Sequence, residues 1–108
     1  MTFTGNENHD ISLTQAAEWT ENFRNTITSG QTIAHYFGKA AIMAILNQSG
    51  CVGIREYYAL DDTGKKQIIV VGVDANGNDL YQGLLAERSI TCPLDCSAAN
   101  PLNTTLNS

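Results

Sequence analysis

The sequence predicts an α+β domain: two N-terminal helices packed on a three-stranded antiparallel β-meander, in the order α-α-β-β-β. Three observations carry that expectation. Apolar residues recur at helical spacing between Ser12 and Gln48. From Ile68 to Val73 the apolar residues become nearly contiguous, as in a strand covered on both faces. Two short loops, Asp61–Lys65 and Asp74–Asn78, then interrupt the strand region with Asp, Asn and Gly.

Residues 1–10 are polar and read as a flexible leader. Ser12 is a good N-cap, and Gln15 three residues on completes a capping box. Leu13, Ala16, Ala17, Thr20, Phe23 and Ile27 then form one stripe, with Trp19 at its edge. The expectation is an amphipathic helix lying on a core and ending near Ser29-Gly30. Thr32 can cap a second helix over about Ile33 to Gln48, stopped by Ser49-Gly50. Ile33, Phe37, Ala40, Ala41 and Ala44 share one face, while Ile42, Ile45 and Leu46 occupy the far side. A helix apolar nearly all round is buried on both sides, or is partly a subunit interface.

Val52–Leu60 reads as the first strand and carries the adjacent Tyr57 and Tyr58. Asp61–Lys65 is a hairpin loop with Gly64 placed for positive φ. Gln67–Val73 is the strongest strand, apolar on both faces, and fits a central position. Asn76-Gly77 marks the second hairpin. The third strand, Asp79 to about Ser89, is weaker and broken at Gly83. One domain thus covers residues 11–92, and residues 93–108 form an irregular tail without apolar period.

Composition narrows the function classes. A net charge of −5 argues against nucleic-acid binding, which needs a basic footprint. No Lys/Arg cluster suits an anionic membrane, and no apolar run is long enough to span one. The polar N-terminus has no signal-peptide pattern, so the expected setting is cytoplasmic, with the three cysteines reduced. The two-sided apolar character of the second helix and central strand exceeds what a small two-layer monomer buries. That surplus predicts a homodimer, with Phe37, Ile42, Ile45, Leu46, Tyr57 and Tyr58 as interface candidates.

The stretches "HYFGKAAIMAILNQSGCVGIREYYALDDTGKKQIIVVGVDANGNDL" and "ERSITCPLDC", with "NPLN" after them, resemble a family of small soluble bacterial proteins. The resemblance covers the chain from about Ile11 and implies a bacterial single-domain protein. It brings no activity, cofactor or catalytic residue.

Chemistry is sparse. Strand directions put His35 and the Cys92/Cys96 pair at one end of the sheet with Asp61 and Asp62. They put His9, Asp74, Asn76, Asn78 and Asp79 at the other end, with Cys51, roughly 30 Å away for a nine-residue strand. The metal candidates are therefore Cys92, Cys96 and His35, though structural zinc usually draws four ligands. A dithiol redox pair prefers C-x-x-C at a helix N-terminus, and a disulfide across the Pro93 turn would constrain few residues. Two ordinary thiols in a terminal turn is the reading preferred for Cys92 and Cys96. The loop "DANGND" lacks the calcium-loop spacing of Gly and the closing Glu and reads as a hairpin. No nucleophile–base motif, H-E-x-x-H or phosphate loop occurs. The expectation is a non-enzymatic binding or interaction protein without cofactor. The alternative is a zinc- or thiol-dependent protein built on the cysteine pair and His35.

Overall fold

The structure, a computed structural model, describes residues 2–104. It is an α+β arrangement of two helices and a three-stranded antiparallel sheet, joined by a second sheet of two short strands. The elements are α1 (Leu13–Arg24), β1 (Ala34–Tyr36), α2 (Lys39–Leu46), β2 (Cys51–Leu60), β3 (Lys66–Asp74), β4 (Leu85–Ala86) and β5 (Ile90–Cys92). The chain forms two compact units. The first comprises the residues up to Asn8 and His35–Ile90, and the second His9–Ala34 and the chain from Thr91.

The first unit is built on the sheet β2-β3-β4. Its two hairpin-type loops are the same device used twice. Asp61 Oδ1 accepts hydrogen bonds from the amides of Thr63 and Lys65. Asp74 Oδ1 accepts from the amides of Asn76 and Asn78 in the same way. In each loop the glycine amide donates back to the aspartate carbonyl. Gly64 and Gly77 both adopt φ 83°, a conformation that strains any residue with a Cβ. The short polar side chain thus replaces the missing backbone partners of a tight turn.

β3 is central, and its valines are buried on both faces: Val70 is 0% exposed, Val71 and Val73 3% each. Ile45 of α2, 1% exposed, packs with Val70 and Ala86, and Phe37, Ile42 and Ile68 surround them. Gln48 fastens the helix end to the sheet. Its Nε2 donates to the Ile45 carbonyl at 2.9 Å and its Oε1 accepts from the Leu84 amide at 2.9 Å. A Cβ on Gly83 would stand 2.2 Å from that oxygen, and one on Gly72 2.9 Å from the Gln48 nitrogen. The glycine that breaks the third strand is therefore the space Gln48 occupies. The leader is engaged as well: the Phe3 amide donates to the Ala75 carbonyl at 2.7 Å.

Two expectations are revised here. The second helix begins at Lys39, not Ile33, because Ala34–Tyr36 is a strand paired with β5. Ile33 through Phe37 is rich in β-branched and aromatic residues, and a distant partner strand decided between two compatible states. Gly38 supplies the extended N-cap, with ψ 149°. The third strand reduces to the two-residue β4 facing Val70 and Val71, with a lone bridge between Val73 and Asp79.

In the second unit Ser12 caps α1 through the Gln15 amide at 3.1 Å, but the helix ends at Arg24 rather than near Ser29. No α1 residue is fully buried. Its predicted stripe is half-buried at Ala16, Ala17 and Thr20, and exposed at Leu13 and Phe23. Polar bonds hold this unit. Arg24 Nη1 donates to the Leu102 carbonyl at 2.7 Å. Asn100 and Asn103 bond each other and residues 97–104. Cys92 and Cys96 form a disulfide, which corrects the reading of two ordinary thiols. Asp95 donates to the Thr91 carbonyl and Cys96 to that of Leu94, closing the turn until the two Cα atoms are 4.8 Å apart. That separation lies within the range a disulfide requires.

Candidate functional site

The candidate site is the surface of the first unit around α2 and β2. Ile42 and Ile45 of α2, and Phe37 just before it, pack in the chain's own core, and these are three of the six interface candidates. Leu46, Tyr57 and Tyr58 remain exposed. Along β2, register pairs Glu56 with Val70 and Tyr58 with Ile68. Residues paired across a sheet share a face, so Ile54, Glu56, Tyr58 and Leu60 lie on the α2 side. There Tyr58 is 94% exposed and Leu60 71%. This bare tyrosine and leucine, two positions apart on one strand, are the largest apolar exposure on β2.

The opposite face of β2 carries a polar cluster. Arg55 Nη1 meets Asp79 Oδ1 at 2.5 Å and the Gly77 carbonyl at 3.2 Å. Tyr57 donates its hydroxyl hydrogen to the other Asp79 oxygen. The two donors hold the Asp79 carboxyl below its ordinary range, the Tyr57 hydrogen bond first. The carboxylate in turn raises the pKa of Tyr57 and of Arg55. The cluster joins β2 to the segment after the second loop. A stable carboxylate bound by two donors is a poor general base.

A groove of about 540 Å³ runs between the N-terminal half of α2 and β4. Phe37, Ala41, Ala44, Leu84, Leu85 and Ile90 line it. Glu87 and the exposed Arg88 stand at its margin, 3.9 Å apart. The small side chains of α2 open this groove. The sequence signal for its other wall was the apolar pair Leu84-Leu85 inside an otherwise weak strand. That pair, and Ile54 and Leu60 on β2, lie outside the six interface candidates.

His35 sits on β1 rather than at a helix start, half-buried, with Nδ1 2.7 Å from Ser89 Oγ. Burial lowers its pKa, Lys65 adds to the effect, and Glu56 opposes it. Asp61 is held far below the usual carboxylate range by the Thr63 hydroxyl, Gln67 and the loop amides. Asp74 is likewise spent on its own loop. Cys51 is a free thiol whose Sγ lies 3.2 Å from the Gly53 carbonyl. Among the described residues no three His, Cys, Asp or Glu side chains come together as a metal-ligand group. The sulfurs of Cys92 and Cys96 are bonded to each other, and a disulfide sulfur is not a thiolate ligand. No helix among the described residues is long and apolar enough to cross a membrane.

No family model matches the chain, and neither does any curated protein or solved structure. The site therefore stands on its own residues.

Proposed function

We propose that this chain is a small non-enzymatic binding protein that works as a homodimer in the cytoplasm of a bacterium. The observation that carries the reading is the exposure of Tyr58 and Leu60 on the sheet face that α2 packs against, on a unit whose buried apolar core is only a few of the described residues. Exposed apolar rows of this kind mark interaction surfaces. In the dimer the groove between α2 and β4 takes a small apolar ligand, because aliphatic and aromatic side chains dominate its lining.

Two measurements test this reading. Sedimentation equilibrium at micromolar concentration is expected to give twice the mass of one chain; a clean monomer would remove the homodimer. An anionic apolar dye is expected to bind stoichiometrically, and Ala41→Trp, which fills the groove, to abolish that binding. Dye binding untouched by Ala41→Trp would place the ligand elsewhere.

A second reading rests on the adjacency of Cys92 and Cys96. In a reducing cytoplasm this bridge opens, and the resulting dithiol becomes a zinc or redox candidate. Metal analysis and thiol titration of the reduced protein decide it. Stoichiometric zinc that is lost in Cys92→Ser would favour this reading over the first, and three free thiols without metal would end it.

A further inference from the structure

We infer that two copies of this chain pair through the free edge of β2, giving one continuous six-stranded antiparallel sheet. The inference rests on the homodimer reading and names its surface and register. In the order β2-β3-β4, β2 has a single sheet neighbour. It is also the longest strand, ten residues. An edge of that length presents a row of unpaired amides and carbonyls that natural proteins cover, shorten or charge. Here the covering is partial. Gly5 of the leader lies against the Val52 carbonyl, where a Cβ would come within 2.8 Å of the oxygen. Val52 is also the residue bulged out of the β2–β3 register. The register is regular from Gly53, and Ile54–Leu60 is the stretch of that edge that carries side chains.

That edge is self-complementary. A two-fold axis normal to the sheet keeps both α2 helices on the same face. It also requires paired residues to share a face, so only like-parity registers qualify. Centring the axis on Glu56 sets two carboxylates directly opposite, which destabilises, and drives the pairing into Val52. Centring it on Tyr58 leaves only residues 56–60 paired and sets Glu56 opposite Leu60 twice. Centring it on Tyr57 uses the whole free edge. Tyr57 then faces its own copy, Arg55 faces Ala59, and Glu56 faces Tyr58. Ile54 faces Leu60 at both ends, so two aliphatic pairs form on the α2 side. The same register covers the two most exposed large apolar side chains of β2, Tyr58 and Leu60. A second copy is thus the occupant that fits the edge by length and apolar matching, with no like charges directly opposite.

Single cysteines at positions 56, 57 and 58, in a Cys51→Ser background, test the register. Residues facing each other across an antiparallel pair have Cα atoms about 4.5–5.5 Å apart, within disulfide range. Tyr57→Cys is expected to form a covalent dimer fastest under mild oxidation, with Glu56→Cys and Tyr58→Cys trailing. Leu60→Lys, which should leave the fold intact by circular dichroism, is expected to weaken the dimer at least about tenfold. Preferential cross-linking of Glu56→Cys or Tyr58→Cys would overturn the register. A wild-type dimer in which no variant cross-links and Leu60→Lys has no effect would overturn the β2 edge while leaving the homodimer standing. A wild-type monomer would overturn both.

Discussion

The two units of this chain are held together by different physics. The first has a sheet, a helix and a small apolar core in which Ile45, Val70 and Ala86 meet. The second has one helix with no fully buried residue, and relies on a disulfide, an arginine-to-carbonyl bond and an asparagine-stapled turn. Apolar burial is additive and non-directional, so it is spread over many contacts. Stapling concentrates stability in a few groups, each removable by one change. The contrast teaches where to look for function: the unit with a core can present a further apolar surface without unfolding, and it does so on β2.

The largest expected effect comes from Ile45→Ala, which removes the only α2 residue at the centre of the core. It should cost about 2–5 kcal/mol, as core truncations to alanine do, read as the loss in chemical denaturation. Hydrogen exchange should show the damage in β3 while α1 protection changes little. Equal loss in α1 would mean that the two units share one cooperative transition.

Reduction of the Cys92–Cys96 bridge should act in the opposite place. The closed loop spans a sequence separation of only 4, so the entropic contribution is about 2 kcal/mol. Amides of residues 91–96 should lose protection in the presence of a thiol reductant, and β3 amides should not. A reductant that unfolds the whole chain would break the comparison.

A smaller effect is expected from pH. Folding lowers the pKa of His35, chiefly by burial. The unfolded chain then takes up more protons on acidification, so stability falls with pH. The contribution is complete above the unfolded-state value of about 6.5 and is lost as pH drops through the folded value. Thermal unfolding between about pH 7.5 and 5.5 should show the decline, and His35→Gln should flatten it.

The parts of this molecule legible in its sequence are those whose causes are local. Ser12 caps α1 because its oxygen reaches an amide three residues on. The aspartates and glycines of both loops act within five residues. The run Ile68–Val73 states its own two-sided burial. What stayed hidden depends on partners distant in sequence. Ala34–Tyr36 is a strand only because Ile90–Cys92 lies beside it. Gly83 is explained by Gln48, thirty-five positions earlier. Of the candidate site, Leu46, Tyr57 and Tyr58 were legible as exposed apolar positions. The free edge was not, since an edge strand is defined by which neighbour is missing.

Amide hydrogen exchange of β2 at two protein concentrations tests the β2 edge most directly. In the β2-paired dimer, the amides of Ile54–Leu60 that point away from β3 gain protection as concentration rises through the dissociation constant. The β3 amides, already buried within one chain, do not. Protection of those β2 amides that is independent of concentration, in a protein that remains dimeric, would contradict pairing through this edge.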